Sequence, residues 1–286
     1  MTASKDIQTI AVVGAGTMGQ GIAQICAMAN FRVVLFDVRE ESLTSAVEII
    51  TKNLNKGIEL GKVSDALKDQ TLANIQTVKE LNQVKADVII EAIVEQLKVK
   101  QELFQSLEKV NEEDCILASN TSSIPITQIA AGLKRPQHFV GMHFFNPAHI
   151  MKLVEIISGA ATSSDVVKTV YALAEKLGKK PVVAQDAPGF IVNRVARHYY
   201  VESLKVLEEG VTDVAGIDKL LEASGFKMGP FRLMDLIGVD TNFSVTSSMF
   251  NAFYQDSKFR PSRIQQQKVD AGHHGRKSGK GFYTYD

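Results

Sequence analysis

The segment IQTIAVVGAGTMGQGIAQICAMA, Ile7 to Ala29, changes its hydrophobic period in mid-course. It begins as a β-rich run, ends with apolar residues at helical intervals, and has glycines at the change. A strand that ends in glycines and feeds straight into a helix leaves few folds open, because it is how a βαβ unit starts. Gly14, Gly16 and Gly19 stand in G-x-G-x-x-G spacing. Glycine is common, so the spacing alone is weak; the strand before it and the helix after it give it weight. In that setting Gly14 permits the tight turn, Gly16 lets backbone approach a pyrophosphate, and Gly19 lets helix pack on strand. Thr17 and Met18 complete the entry into the helix, whose free N–H groups and partial positive charge suit phosphate. The next apolar run, RVVLFD, closes on Asp37, where an acid accepts hydrogen bonds from adenosine ribose hydroxyls and repels a 2′-phosphate. The expected cofactor is therefore NAD rather than NADP, with Arg39 close enough to soften the exclusion.

The alternation continues. ADVIIEAI, CILASN, HFVGMHFF, KLVEII and KPVVAQ read as strands, with helical patterns from Leu43, in QELFQSLEKV and in DVVKTVYALAEKLG between them. This is the pattern of an α/β fold: a Rossmann-type, doubly wound, mostly parallel sheet with helices on both faces. After DAPGF the chain becomes almost wholly helical, with Thr212 a plausible N-cap and Pro230 placed where a helix can start. The reading is a nucleotide-binding domain over residues 1–187 and a smaller all-α domain over 188–286.

Composition narrows the function classes. Lys+Arg and Asp+Glu are 32 each, so no basic excess attracts nucleic acid or an anionic membrane. No apolar run is long enough to span a bilayer, and the start of the chain reads as a strand rather than a signal peptide. Cys26 and Cys115 lie far apart in apolar surroundings, as expected of reduced thiols in a cytoplasmic protein. Without a cysteine cluster or H-E-x-x-H, no metal is expected. The adjacent His273 and His274, read as a strand, would point to opposite faces and share no ion.

The stretch GMHFFNPAHIMKLVEII, Gly141 to Ile157, places His143, Asn146 and Glu155 among large apolar neighbours. Burying such groups is costly unless they are paired. Hydride transfer from an alcohol needs a base for the hydroxyl proton, and a neutral histidine suits, its unperturbed pKa being about 6.5. A carboxylate on the far ring nitrogen fixes the tautomer and stabilises the imidazolium. His143 and Glu155 lie in neighbouring strand-like runs and can meet side by side. On spacing alone a satisfied core histidine fits equally well. The serines of NTSSIPIT lack the G-x-S-x-G elbow of a hydrolase, and Phe144 and Phe145 read as core.

GAGTMGQGIAQ, EAIVEQLKVKQELF, ASNTSSIPIT, GMHFFNP, MKLVEII, DAPGFIVNR and GRKSGKGFYTY together resemble the L-3-hydroxyacyl-CoA dehydrogenase family, in order and over nearly the whole chain. The stand-alone bacterial 3-hydroxybutyryl-CoA dehydrogenases are the most similar members. The resemblance implies an NAD-dependent enzyme that interconverts (S)-3-hydroxyacyl-CoA and 3-oxoacyl-CoA on short chains. It makes His143 the base and Glu155 its orienting partner, with Ser122 and Asn193 on the substrate's oxygens and Asn146 on nicotinamide and substrate. Glu95, Lys100 and Lys277 fall near the cofactor. It implies a substrate cleft between the domains and a homodimer formed through the helical domain, where VTSSMFNAFY needs cover. Asn53 and Lys56 stand in the segment matching the family's CoA-contacting helix, with Asn53 in place of a serine; Lys52, Lys56 and Lys62 suit CoA phosphates or form a solvated face.

Two departures point to a rival substrate. His149 replaces a more usual proline and Arg232 a typical acid, and a cation near the acyl end favours a dicarboxylic acyl-CoA such as 3-hydroxyadipyl-CoA. A rival of another class is a catalytically silent NAD-binding structural protein, of the kind this family has produced as a lens crystallin. Retention of His143, Glu155, Ser122 and Asn193 together argues against it.

Overall fold

The computed structural model describes residues 6–285. The chain divides into two compact units, Met1–Ala187 and Pro188–Asp286.

The first unit is built on an eight-stranded sheet in the order β3-β2-β1-β4-β5-β6-β7-β8. Its elements run β1 Thr9–Val13, α1 Thr17–Met28, β2 Arg32–Phe36, α2 Glu40–Glu59, α3 Asp65–Ala73, β3 Ile75–Val78, β4 Val88–Glu91, α4 Leu97–Val110, β5 Ile116–Ser119, α5 Ile126–Ala130, β6 Phe139–Phe144, β7 Leu153–Ser158, α6 Ser164–Lys176 and β8 Lys180–Gln185. Every strand pair is parallel except β6 with β7. The strand order reverses between β1 and β4, the place where open α/β sheets form ligand crevices beyond their C-terminal ends.

Alternate residues of each strand serve two cores. Ile10, Val12, Leu35, Ile90, Val140 and Met142 face one side, where Ile22 of α1, Leu54 of α2 and Leu173 of α6 close over them. Each such buried side chain contributes about 1.5–3 kcal/mol by leaving water. On the other side Phe139 meets Phe104 of α4 edge-on at 4.7 Å. There a Cβ on Gly141 would lie 2.7 Å from the Ile126 side chain of α5, so glycine lets the short helix sit close.

The doubly wound sheet agrees with the sequence reading, to which the structure adds the edge strand β3. Only Ile75 and Val78 of IQTV are apolar, and Gln76 and Thr77 are exposed at the sheet edge, so the strand carries almost no hydrophobic signal. It forms because β2 offers it a parallel ladder.

The second unit is helical: α7 Val192–Glu208, α8 Val214–Ala223, α9 Pro230–Ile237, α10 Val239–Ala252 and α11 Arg263–Asp270. Its core joins Tyr200, Leu204, Ile217, Phe231 and Met234. The cap of α8 is Asp213, which accepts from Gly216 N at 2.7 Å, rather than Thr212. The carboxylate, one residue nearer the helix, takes the cap in place of the hydroxyl. Pro230 does open α9.

Two buried aspartates staple this unit. Asp218 accepts from the amides of Phe231 and Arg232 at 2.9 and 3.1 Å and from the Tyr283 hydroxyl at 2.8 Å. Asp235 accepts from the amides of Phe282 and Tyr283, both at 2.9 Å, and from the Tyr285 hydroxyl at 3.0 Å. A Cβ on Gly281 would come within 2.1 Å of the Asp235 carboxylate, so only glycine lets the strap GFYTY lie against it.

Candidate functional site

The glycine turn follows β1 and opens α1. Gly14 has φ +103°, and a Cβ there would lie 2.7 Å from the Ala92 carbonyl beyond β4. A Cβ on Gly19 would run into the Gly14 carbonyl. Both positions are thus dictated by the protein's own packing. Gly16 is different: no heavy atom lies within 4 Å of where its Cβ would be, so packing does not require a glycine there. Gly16 is also the N-cap of α1 and no side chain caps that helix, so the first amides, at Thr17, Met18 and Gly19, have no side-chain acceptor. Asp37, just past β2, accepts from Ala15 N at 2.9 Å through one oxygen and from Arg39 N at 3.0 Å through the other. A carboxylate has about four acceptor sites, so two amides leave room for two ribose hydroxyls. The Arg39 guanidinium is exposed, its Nε 3.9 Å from Asp37.

The antiparallel pair builds the second part of the site. In the β6–β7 ladder His143 is directly opposite Glu155, and both project to the α4–α5 side of the sheet. The imidazole Nδ1 lies 2.7 Å from Glu155 Oε2. Their side chains are only 7% and 1% exposed. A carboxylate only accepts, so Nδ1 carries the hydrogen and Nε2 of the neutral ring carries the lone pair. Phe145 packs on the imidazole with ring centroids 4.5 Å apart, so it touches the candidate base, whereas Phe144 is core as expected.

Between these two parts runs a polar web, buried at Glu91 and Lys100. Glu91, which ends β4, is fully buried; it accepts from Lys100 Nζ at 2.5 Å, from Ser119 Oγ at 2.6 Å and from Ile93 N at 2.8 Å. Lys100 also reaches Glu95 Oε2 at 3.2 Å. Glu95 in turn accepts from the Thr121 hydroxyl at 2.5 Å and from the amides of Ser122 and Ser123 at 3.0 and 3.3 Å. Burial pushes the Glu95 carboxyl up, but Lys100, the Thr121 hydroxyl and the Ser122 amide outweigh it and hold it below the usual carboxylate range. Asn120 Oδ1 accepts from Phe144 N at 2.8 Å, tying the Ser122 loop to the end of β6. The web thus joins the strand end beside the glycine turn to the loop of Ser122 and the strand of His143.

Residues 9–187 match the family model for the 3-hydroxyacyl-CoA dehydrogenase NAD binding domain, and residues 189–285 match that for the C-terminal domain. The chain belongs to the 3-hydroxyacyl-CoA dehydrogenase family. It is 46% identical over 282 residues to the 3-hydroxyadipyl-CoA dehydrogenase of Escherichia coli K12, covering 98% of this chain and 59% of that longer protein. It is 42% identical to a probable 3-hydroxybutyryl-CoA dehydrogenase of Bacillus subtilis, with 98% of each chain covered. The crystal structure of (S)-3-hydroxybutyryl-CoA dehydrogenase from Ralstonia eutropha superposes with a TM-score of 0.95 at 38% identity, over 98% of this chain and all of that one.

In this family member the remaining candidates fall as follows. Asn146 is exposed just beyond β6, and Ser122 is half-buried in the loop after β5. Asn193 is the second residue of α7 and half-buried. Lys277 Nζ pairs with Asp240 at 2.7 Å. Lys100, expected near the cofactor, is 1% exposed and held between two carboxylates. On α2, Asn53 donates to Gln24 Oε1 at 3.2 Å, and Lys56 makes an exposed pair with Glu59. His273 and His274 follow α11 and are not in a strand; His274 Nδ1 is 3.9 Å from Asp240. No group of three metal-ligating side chains occurs among the described residues.

Sequence reading missed Glu91, Ser119 and Asn120, which sit at strand ends beside named motifs. It also missed Lys179, whose buried Nζ donates to the Ala148 and Met151 carbonyls at 2.5 and 2.9 Å and so holds the loop after Asn146. The acid within ADVIIEAI and the serine and asparagine of ASNTSS were the signals available for the first three. Cys26 is buried, and burial pushes its thiol up to about 12, so it stays protonated and inert. No described helix is long and apolar enough to cross a membrane.

Proposed function

We propose that this chain catalyses reversible NAD-dependent oxidation of (S)-3-hydroxyacyl-CoA to 3-oxoacyl-CoA on short acyl chains, with 3-hydroxybutyryl-CoA the simplest substrate. The observation that carries this reading is the buried 2.7 Å pair of His143 and Glu155 in a member of this family. The glycine turn suits the cofactor: Gly16 leaves open space at an uncapped helix N-terminus, and Asp37 keeps acceptor sites for ribose hydroxyls. When bound, NAD supplies the hydride acceptor.

His143 Nε2 takes the proton of the C3 hydroxyl as the C3 hydrogen departs, and the C–O bond becomes a carbonyl. Glu155 holds the ring in the receptive tautomer and stabilises the imidazolium. In reverse, the imidazolium donates to the ketone. Ser122 and Asn193 hold the substrate's oxygens, polarising the carbonyl without adding a competing base. Glu95 positions the Ser122 loop through the Ser122 and Ser123 amides, and Lys100 serves by holding Glu95.

NADH consumption across a series of 3-oxoacyl-CoA thioesters tests the reading. Turnover is expected on acetoacetyl-CoA; tight NADH binding without oxidation by any thioester would favour the silent structural protein instead. The same reading includes a cytoplasmic location and a homodimer, the dimer supported by exposed apolar side chains of the helical unit such as Val195, Leu220 and Leu236. A monomeric mass by sedimentation removes that part.

A second reading, oxidation of a dicarboxylic acyl-CoA, is favoured by the name and 46% identity of the E. coli relative. The two cations first suggested for a distal carboxylate do not support it. Arg232 lies over the Tyr283 ring with its Nε 3.8 Å from Asp218, so its charge is matched locally. Burial, and then Lys179, lower the His149 pKa, which keeps that imidazole neutral.

A further inference from the structure

GAGTMGQG carries a fourth glycine, Gly21, for which the dinucleotide spacing has no use. It lies inside α1, where glycine is less favourable than alanine. Its neighbours account for it. A Cβ at Gly21 would meet Ala148 Cβ at 3.0 Å, Ala148 N at 3.5 Å and His149 N at 3.6 Å. All three atoms belong to the segment between β6 and β7, so the missing side chain lets that segment lie against α1. Gly21 follows Gly16 by five residues, about one and a half helical turns.

The segment has little of its own to hold it there. Pro147 O accepts from the amides of Ile150 and Met151 at 3.0 and 2.9 Å, which closes a turn. From 146 to 152 only Ala148 is buried, and Ile150 and Met151 are exposed. With so little apolar surface covered, the place of the turn depends on polar contacts. Lys179, just before β8, supplies two: its Nζ donates to the Ala148 and Met151 carbonyls at 2.5 and 2.9 Å. Hydrogen bonds from an ammonium are stronger than those from a neutral donor. The same ammonium is near enough to α1 to bear on the Cys26 thiol, which burial raises and Lys179 lowers. Helix, turn and lysine all belong to the unit Met1–Ala187. Asn146, directly before the turn, is exposed.

We infer that Gly21 and Lys179 are positioning residues, which together seat the 147–151 turn on α1 and thereby hold Asn146 at the nicotinamide end of a bound dinucleotide. The inference rests on the proposed dehydrogenase reading, with Asn146 meeting the nicotinamide, and names the residues that place it.

The test is calorimetric titration with two ligands, NADH and ADP-ribose, which keeps the adenosine, diphosphate and second ribose and lacks the nicotinamide. Gly21→Ala and Lys179→Met should each bind ADP-ribose as wild type does and NADH about 3- to 10-fold more weakly, the effect of losing one hydrogen bond. Gly16→Ala is the contrast and should weaken both ligands alike. In an Asn146→Ala background Gly21→Ala should weaken NADH no further, because the two changes remove the same contact. Amides of the 147–151 turn should exchange hydrogen faster in Lys179→Met.

Equal weakening of both ligands in Gly21→Ala or Lys179→Met overturns the inference and leaves the pair as plain support for α1. So does NADH affinity that stays at the wild-type value, or a loss that adds to that of Asn146→Ala. Should Lys179→Met fail to fold, Gly21→Ala still decides, since alanine suits a helix interior. Any of these results in a protein that binds NADH sinks this inference alone, whereas wild-type protein that binds neither ligand sinks the dehydrogenase reading with it.

Discussion

The sheet unit and the helical unit both bury carboxylates, and they use them differently. Asp218 and Asp235 spend their oxygens on backbone amides and tyrosine hydroxyls, so each fastens a length of chain. Glu155 holds an imidazole, a group that can change charge without leaving its place. A buried acid tied to amides is committed to one geometry, and one tied to a histidine is held ready for a proton. The Glu91–Lys100–Glu95 web lies between the two cases, since it fixes the loop after β5, the strand that pairs with the one carrying the candidate base.

The largest effect should come from the proton-handling side of that contrast. His143→Gln should cut turnover about 10²- to 10⁴-fold while leaving NADH affinity and thermal midpoint unchanged. Steady-state rates with fluorescence titration of NADH check this, and wild-type turnover would reduce the pair to ordinary core packing. Asp235→Asn should behave in the opposite way. It turns a carboxylate oxygen into an amide that cannot accept from the strap, at a cost of about 3 kcal/mol in denaturant unfolding of the helical unit. A variant with unchanged midpoint would mean that the strap is held by its aromatic rings alone.

How legible these features were in the sequence follows the same division. The paired residues His143 and Glu155 stood out because each is a polar intruder in a strand pattern, and a period of two brings them to one face. The glycine turn was legible for a similar reason, since its flanking elements are strongly periodic. Glu91 was not, because an acid at the end of an apolar run looks the same whether it enters solvent or a buried web. The edge strand β3 was lost because its ladder depends on a neighbour distant in sequence.

Two smaller effects sharpen the contrast. Gly16→Ala should weaken NADH binding about tenfold without moving the thermal midpoint, because nothing in the protein occupies that space. Calorimetric titration decides it, and unchanged affinity would detach the turn from the dinucleotide. The smallest effect concerns pH. The Glu95 pKa is lowered in the folded chain, so its contribution to stability is fully present above the ordinary value of about 4.3 and disappears as pH falls through the folded value. Glu95→Gln should therefore be less stable than wild type near neutrality and converge with it in acid. Urea midpoints across that range check this, and a constant gap at all pH values would place the effect in packing. The gap should be modest, because the side chain is 38% exposed.

The lone antiparallel pairing in the sheet has an outcome for how such proteins diversify. Ladder bonds between β6 and β7 fix which residues oppose each other, whatever the connecting segment 145–152 spells. The part of that segment beyond Asn146 can change while imidazole and carboxylate stay in register, so the loop and the pair can vary separately. A crossover through a helix would have bound the two to the same fate.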